Sequence, residues 1–331
     1  MLDPIPMRDR APYRGFPSGW YGIADAAEIG IESLKPVNYL GRQMVAFRTV
    51  DGSAQVADAY CPHLGAHLAS HDGRVEKGQI ICPFHKWRWD GASGRCAHIP
   101  YSETIPPGVS LTLFPTREVD GSIMIWFDGA GGEPDFEPYR SPDFQRDRWV
   151  QYDQRDYVTT CYFPDIFENL FDGAHIVQLH HAAKMPVMRT MEPRPHGLYV
   201  DYAIDPDAED QPLKQLEMNL SGISLLNQHY VGVGWEALFF IYVTPIDRER
   251  VFKRYRLYLK ELDSRQMMDQ IGRPFVERFV YEVEQDLNVL NFKKHLPRPK
   301  LCRHDGPIDR YRRYAEAYYA AKRPLETPAM P

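Results

Sequence analysis

The sequence predicts an α+β fold made of two domains. Short strand-like runs broken by turn residues occupy roughly residues 19–129 and indicate a small all-β domain. Longer strand-like runs follow, and a stretch with helical periodicity covers about 264–295. A chain of 331 residues is long enough to bury two hydrophobic cores. For the second half, the simplest assembly is a twisted antiparallel sheet wrapped around one long helix.

The all-β domain is predicted from alternating strand and turn signals. Its clearest strand-like runs are 44–48 and 122–127. Turn signals occur at Asp51-Gly52, Asp72-Gly73 and Asp120-Gly121. The Gly- and Pro-rich segment 128–134 marks the expected domain boundary. We therefore divide the chain into an N-terminal arm (1–17), a first domain (18–130) and a second domain (131–331).

The second domain is predicted to contain a helix near 164–181 in addition to the long helix. The expected strands are 152–162, 215–221, 224–233, 235–243 and 251–259.

Composition narrows the class of protein. With 44% hydrophobic and 25% charged residues, the chain has the balance of an ordinary soluble globular protein. No run approaches the ~20 apolar residues that span a bilayer, so no membrane span is expected. A net charge of −6 gives no support to nucleic-acid binding. Five scattered cysteines argue against a disulfide framework and for a cytoplasmic location.

Two short cysteine–histidine pairs are the most specific feature of the first domain. Cys61 and His63 form C-x-H, and Cys82 and His85 form C-x-x-H, with 18 residues between the pairs. Two thiolates and two imidazoles are the ligands of a Rieske 2Fe–2S cluster, in which cysteines hold one iron and histidines the other. A structural zinc site is the alternative, but zinc modules usually pair cysteine with cysteine and histidine with histidine.

A second candidate metal site begins at His175 and His180. Two histidines and one carboxylate can hold Fe(II) on one face and leave positions open for dioxygen. Residues five apart on a regular helix stand about 140° apart, which is too far for one ion. We therefore predict a distorted turn, such as a π-bulge, between the two histidines. His181 is the alternative to His180.

Asp286 is the predicted carboxylate ligand. Phe279, Val283, Leu287 and Leu290 form an apolar stripe on the long helix, and Asp286 lies near its middle. A carboxylate on a buried face needs a cation or donors, and a metal at the two histidines would supply the cation. Asp172 lies one helical turn before His175, so its side chain is expected to hydrogen-bond an imidazole N–H.

The two motifs together resemble those of the Rieske non-haem iron oxygenases. Cys61-x-His63 and Cys82-x-x-His85 match the cluster motif of that family. The run from Asn169 through Asp172 and His175 to His180 matches its mononuclear-iron motif. The segments 61–68, 82–89 and 305–308 are similar to the steroid-acting branch, which includes 3-ketosteroid 9α-hydroxylase oxygenases and cholesterol 7-desaturases.

The resemblance implies an N-terminal Rieske domain and a C-terminal catalytic domain of the helix-grip (START-like) type. It also implies a head-to-tail homotrimer, in which the cluster of one subunit feeds the iron of its neighbour. Asp172 would then bridge His85 of one chain to His175 of the next. In the family's pattern Asp286 is the third iron ligand, and Asn169 belongs to the surroundings of the iron.

The expected function is the terminal oxygenase of a multi-component monooxygenase that uses dioxygen. Electrons from NAD(P)H would arrive through a ferredoxin and/or a flavin reductase, because the chain has no dinucleotide-binding motif of its own. Lys86 and Arg88 flank a cluster ligand and are either a docking site for an acidic ferredoxin or plain surface charges. The expected substrate is hydrophobic, a steroid or sterol. Two alternatives are an O- or N-demethylase of an aromatic or alkaloid-like substrate, and a Rieske electron carrier with an inactive second domain.

Overall fold

The computed structural model describes residues 5–12, 14–203 and 213–319. The chain divides into two compact units, one formed by Trp20–Pro138 and the other by Met1–Gly19 together with Tyr139–Pro331. Parts of the expected N-terminal arm (1–4 and 13) and of the expected second domain (204–212 and 320–331) lie outside the described residues. Among the described residues, no helix is both long and apolar enough to cross a membrane.

The unit Trp20–Pro138 is built from three small antiparallel sheets, as the all-β prediction requires. The strands are β1 (Gly19–Asp25), β2 (Leu34–Tyr39), β3 (Arg42–Arg48), β4 (Ala54–Asp58), β5 (Arg74–Glu76), β6 (Gln79–Ile81), β7 (Arg88–Asp90), β8 (Cys96–His98), β9 (Leu113–Phe114), β10 (Thr116–Val119) and β11 (Ser122–Phe127). The strand orders of the three sheets are β1-β11-β10, β2-β3-β4-β9 and β5-β6-β7-β8. The core formed by the second and third of these sheets contains fully buried Val45, Phe47, Leu68, Ile80 and Trp89.

The division between the units falls later than the Gly- and Pro-rich segment suggests. Residues up to Pro138 stay with the first unit rather than ending at 130. Two tryptophans hold them there, since Trp20 Nε1 donates to the Phe136 carbonyl (2.6 Å) and Trp126 Nε1 to the Gly132 carbonyl (2.8 Å). The Trp126 and Phe136 rings also meet edge to face at 5.2 Å. The packing of Trp20 and Trp126, rather than the Gly- and Pro-rich composition of 128–134, therefore accounts for the boundary after Pro138.

One seven-stranded antiparallel sheet dominates the second unit, in the order β12-β18-β17-β16-β15-β14-β13. The strands are β12 (Trp149–Thr159), β13 (Val187–Arg194), β14 (Gly197–Ala203), β15 (Leu213–Ser221), β16 (Leu225–Gly232), β17 (Glu236–Pro245) and β18 (Val251–Lys260). The helices are α1 (Met7–Arg10), α2 (Pro142–Arg146), α3 (Asp165–Glu168), α4 (Gly173–Gln178), α5 (Arg265–Leu290) and α6 (Ile308–Glu316).

Helix α5 packs on one face of this sheet through aromatic side chains. Ser264 caps its first turn by accepting from the Met267 N–H (3.3 Å). Phe279 meets Phe239 of β17 at a ring separation of 4.4 Å and Tyr255 of β18 at 4.9 Å. Val283 is buried on the same side, as the predicted apolar stripe requires. The helix face that carries Phe279 and Val283 therefore packs against the sheet.

The predicted helix at 164–181 is not continuous. It consists of α3, a 3₁₀ turn (Asn169–Phe171) and α4, which are separated by Asp172. Asp172 has φ −101° and ψ 92°, an extended conformation that ends one helix and caps the next. The strands β13 and β14 and the helices α1, α2 and α6 are not among the elements predicted from the sequence. The interruption of the helix at Asp172 sets the start of α4, which carries His175.

Candidate metal centres

The two cysteine–histidine loops of the first unit are closed in the same way. The Cys61 N–H donates to the carbonyl five residues on (Ala66, 2.9 Å), and the Cys82 N–H does the same to Trp87 (2.9 Å). Each cysteine carbonyl accepts from the N–H four residues on, from Gly65 (2.9 Å) and Lys86 (3.1 Å).

The two closures also share a backbone conformation. Gly65 and Lys86 both have positive φ, 72° and 59°, which is easy for glycine and strained for lysine. C-x-H and C-x-x-H are thus two versions of one loop.

These loops bring the two thiols into contact inside the domain. Cys61 and Cys82 are buried, and neither forms a disulfide. A hydrogen bond from Cys61 lowers the pKa of Cys82 to about 6. The same hydrogen bond, together with burial, raises the pKa of Cys61. Two adjacent sulfurs, one of them easily ionised, suit a pair of thiolate ligands.

The two histidines of these loops face each other. The ring centroids of His63 and His85 are 4.8 Å apart. His63 stacks on Trp87 (4.3 Å), and Trp87 Nε1 donates to the Tyr101 hydroxyl (2.7 Å). Two thiols and two imidazoles held in this way match the donor set of a Rieske 2Fe–2S cluster.

Lys86 and Arg88 are already engaged with acidic neighbours. Lys86 Nζ lies 2.5 Å from Asp72 Oδ2, and Arg88 Nη1 lies 3.9 Å from Glu76 Oε1. Their charge is therefore partly neutralised within the unit. This pairing favours the interpretation as surface charges over that as a ferredoxin docking site.

In the second unit, the backbone between His175 and His180 is wider than a regular helix. The Leu179 N–H donates to the His175 carbonyl (2.7 Å), and the His180 N–H donates to the same carbonyl (3.2 Å). The second bond spans five residues, which is the π-type spacing that the sequence predicted. His180 is 1% exposed, whereas His181 is exposed and has φ 57°. His180 is thus the histidine turned inward.

Three candidate ligand atoms converge at this turn. Asp286 Oδ1, on α5, lies 3.2 Å from His180 Nε2 and 4.0 Å from His175 Nε2. The ligand atoms of the three residues all lie within 4.8 Å of one another. The rings of His175 and His180 are 5.1 Å apart and steeply inclined.

The hydrogen bonds around these residues leave acceptors facing acceptors. His175 Nδ1 contacts the Asp172 carbonyl, and His180 Nδ1 lies 3.0 Å from Gln285 Oε1. If both Nδ1 atoms carry the proton, both Nε2 atoms present lone pairs to Asp286. The buried Oδ1 of Asp286 receives no hydrogen bond from any described residue. A cation is the partner that such a group of lone pairs lacks, so the donor set fits a divalent metal.

Asp172 and Asn169 make local hydrogen bonds beside the site in this structure. The Asp172 carboxylate accepts from the Ala174 N–H (3.1 Å) as the cap of α4, and its other oxygen is 3.9 Å from His175 Nδ1. The expected carboxylate–imidazole hydrogen bond is therefore replaced by one to the Asp172 carbonyl, because the side chain is used as the helix cap. The Asn169 carbonyl accepts from the Asp172 N–H (3.2 Å).

Two further residues beside the site were missed from the sequence. Gln285 was overlooked because a glutamine on a helix has no distinctive spacing. Lys253 of β18 is buried, and although burial lowers its pKa, nearby Tyr255, Cys161 and Asp286 raise it overall. A lysine in the otherwise apolar alternation of Val251, Tyr255 and Leu257 was the signal available in the sequence.

Comparisons with known families agree with this arrangement. Residues 19–114 match the Rieske [2Fe-2S] domain. Residues 125–319 match the 3-ketosteroid 9α-hydroxylase C-terminal domain. The two matches between them contain both candidate metal centres.

Among curated proteins, cholesterol 7-desaturase nvd 1 of Ciona intestinalis is 29% identical over 338 residues, covering 94% of this chain and 70% of that protein. The oxygenase component of 3-ketosteroid-9-alpha-monooxygenase of Rhodococcus rhodochrous is 27% identical over 330 residues, covering 93% of this chain and 81% of that protein.

Among solved structures, dicamba monooxygenase bound to dicamba superposes with a TM-score of 0.72 at 19% identity, covering 93% of this chain and 98% of that one. NdmA of Pseudomonas putida CBB5 with caffeine gives 0.71 at 17% identity, covering 90% and 88%. At these identities the likeness shows the fold.

Proposed function

The chain belongs to the Rieske non-haem iron oxygenases, in the branch that carries the 3-ketosteroid 9α-hydroxylase C-terminal domain, and on this premise we propose that it hydroxylates a steroid or sterol. The observation that carries the proposal is the convergence of His175, His180 and Asp286, whose buried Oδ1 accepts no hydrogen bond from the described part of the chain. It is supported by relatives named for cholesterol and for 3-ketosteroids.

Each site has a distinct part in the proposed reaction. When bound, a 2Fe–2S cluster supplies single-electron transfer, and a ferrous ion supplies dioxygen activation. Cys61 and Cys82 would hold one side of the cluster, and His63 and His85 the other. His175, His180 and Asp286 would hold the ferrous ion on one face. One oxygen atom enters a C–H bond of the substrate and the other leaves as water, with two electrons and two protons consumed.

The proposal includes a separate electron donor, a ferredoxin and/or a flavin reductase oxidising NAD(P)H. It also includes the homotrimer, with Asp172 linking His85 of one subunit to His175 of the next. Leu64, Phe84 and Tyr101, in or beside the cluster loops, are 61–65% exposed. An exposed apolar patch at this tip supports its use as an interface with a protein. Sedimentation of the purified protein tests the trimer.

Substrate class is supported by the apolar character of the sheet face that α5 covers. Leu226, Phe239, Ile241 and Leu257 are buried there. Apolar side chains of this kind suit a large hydrophobic substrate. A small aromatic substrate undergoing O- or N-demethylation is the rival, and binding of a steroid panel against a panel of methoxy- and N-methyl-aromatics separates the two.

Metal content and turnover test the proposal together. We expect three irons per wild-type chain and, with a surrogate reductase and ¹⁸O₂, one labelled oxygen atom in the product by mass spectrometry. The variant His175→Ala should keep two irons and the cluster spectrum but give no product. Cys82→Ser should lose the cluster spectrum. Product from His175→Ala would refute the iron site, and wild-type protein with two irons and no product would indicate an electron carrier.

A further inference from the structure

We propose that Gln285 is a positioning residue for the metal site, because its side-chain carbonyl holds His180 in the tautomer that presents Nε2 to the metal. This inference rests on the proposed function, since it concerns the same three candidate ligands. Gln285 directly precedes Asp286 on α5. One helix would then supply one ligand and orient another.

The contact between His180 and Gln285 is buried on its histidine side. His180 Nδ1 is 3.0 Å from Gln285 Oε1, and His180 is 1% exposed. A neutral imidazole carries its proton on one nitrogen only, so a proton held on Nδ1 leaves Nε2 with a lone pair. That lone pair faces Asp286 Oδ1 at 3.2 Å. The tautomer is therefore set on the side of the ring opposite to the proposed metal.

The structure places the glutamine amide with its oxygen toward His180. An amide can present either its oxygen or its NH₂ group to a neighbour, and only the oxygen accepts the Nδ1 proton. Gln285 Nε2 donates to the Tyr281 hydroxyl (3.0 Å), one helical turn earlier. In this orientation the NH₂ group meets the tyrosine hydroxyl and the oxygen meets His180 Nδ1. A reversed amide would favour the opposite tautomer and place a proton where the metal binds.

The backbone of His180 is held by the same helix. Arg278 Nη2 donates to the His180 carbonyl (2.6 Å), and Arg278 Nε pairs with Glu282 Oε1 (2.6 Å). Arg278 and Gln285 are seven residues apart and so lie on one face of α5. His175, in contrast, is held by the Asp172 carbonyl within its own segment. The two histidines are thus positioned by different elements, and His180 depends on α5.

The amide also avoids an additional charge beside the site. A carboxylate partner would make the imidazole a stronger donor to the metal, whereas an amide orients it without adding negative charge. Loss of such a partner typically weakens metal binding by about 10- to 100-fold. A substitution that keeps an acceptor oxygen should preserve binding, which separates orientation from mere packing.

The test measures metal affinity with the cluster left in place. The mononuclear site of the purified full-length protein is emptied by a mild chelator and titrated with Co(II). The dissociation constant and the visible Co(II) spectrum are recorded, with the Rieske spectrum and circular dichroism as checks of folding. We expect Gln285→Leu to bind Co(II) about 10- to 100-fold more weakly with an altered spectrum. Gln285→Glu should restore binding to the wild-type range or tighter.

Two more variants keep the test decisive. Glu284→Gln changes the adjacent exposed residue and should bind Co(II) like wild type. Tyr281→Phe removes the hydroxyl that contacts the Gln285 amide but leaves Gln285 itself beside His180. This variant should bind Co(II) several-fold more weakly than wild type, and it provides a measurement if Gln285→Leu does not fold.

The possible failures are distinguishable. Wild-type affinity and spectrum in Gln285→Leu, or in Tyr281→Phe where the leucine variant does not fold, would overturn the role of Gln285 alone. If His175→Ala also bound Co(II) like wild type, the proposed iron site itself would be wrong.

Discussion

At the scale of single residues, both candidate centres depend on backbone atoms as much as on side chains. The cysteine loops are closed by peptide groups, and the Asp172 carbonyl holds His175. The segment that carries Asp172 is closely approached by a glycine, Gly306. Gly306 has φ 76°, and a Cβ atom built there would lie 2.1 Å from the Phe171 carbonyl oxygen. Phe171 directly precedes Asp172, so Gly306 fixes how closely the chain can pass the site.

Replacing this glycine should be costly for two reasons. Gly306→Ala places a side chain in a left-handed conformation and drives it into backbone, and we expect it to lower the free energy of unfolding by about 3 kcal/mol. Gly234 has the same φ of 76° with nothing within 4 Å of its Cβ position. Gly234→Ala should therefore cost only about 1 kcal/mol. Urea denaturation measures both, and equal losses would contradict the contact with Phe171.

The sequence was sufficient to name the candidate ligands but not what orients them. Asp286 could be found because a carboxylate within an apolar stripe is unusual, and His180 could be preferred to His181 because it stands at the position of the family's iron motif. Gln285 could not be found, since its role depends on where α5 meets α4 in space. The same holds for the Asp172 side chain. It caps α4 because the helix is interrupted at Asp172, and no residue pattern in the sequence marks that interruption.

At the scale of elements, the long helix and the inner strands β15 to β18 follow their sequence patterns. The edge strand β13 and its neighbour β14 do not. β15 to β18 carry buried alternations or runs, and each was predicted within a few residues. β13 forms the edge of the sheet and is mostly exposed, with Pro193 in it. A strand with little apolar alternation and a proline gives no strand signal. Its pairing with β14 comes from the sheet, not from local preference.

The C-terminal end of α5 is fastened by a residue far away in the chain. Arg10 of α1 is 2% exposed, and its guanidinium donates to the carbonyls of Ile5 (2.6 Å), Asn291 (2.7 Å) and Thr160. The N-terminal segment thereby joins the end of α5 to the end of β12. This explains why residues before Gly19 group with the second unit.

Removal of this guanidinium should loosen the helix end. We expect Arg10→Met to lower the free energy of unfolding by about 3 kcal/mol, because the carbonyls of Ile5, Asn291 and Thr160 lose a charged donor. Arg10→Lys should recover only part of the loss, since an ammonium cannot reproduce the planar fork. Arg8→Met is the control, as Arg8 is 79% exposed on the same helix. A loss below about 0.5 kcal/mol in Arg10→Met, typical of surface changes, would show that the contacts do not hold the end of α5.

At the scale of the whole molecule, the chain is acidic, with a net charge of −6, and its carboxylates set its tolerance of acid. Glu236 is an example within the large sheet. Burial raises its pKa, but hydrogen bonds with Lys260 (2.8 Å) and His229 (3.0 Å) outweigh this and lower it overall. Hydrogen bonds likewise lower the pKa of Asp51 and Asp90 in the first unit. Both units therefore depend on ionised carboxylates.

Stability should fall in acid for this reason. A carboxyl whose pKa is lower in the folded state stabilises the protein above its unfolded pKa, which is 4.5 for Glu236. The contribution disappears as the pH falls through the lower folded value. We expect Glu236→Gln to be less stable than wild type at pH 7 and to approach the stability of wild type as the pH falls below 4.5. A stability difference that stays constant across this range would contradict the prediction, and exposed Glu277→Gln serves as the control.

The wide turn between His175 and His180 has a consequence for how this segment can vary. Four residues separate the histidines, and Ile176, Val177, Gln178 and Leu179 are all at least partly open to solvent. Inserting or deleting one of them would swing His180 about 100° around the helix axis and away from Asp286. The number of residues in this segment is therefore constrained, whereas their identities are not. Libraries that randomise 176–179 at constant length would alter the surroundings of the candidate iron site while His175 and His180 keep their spacing.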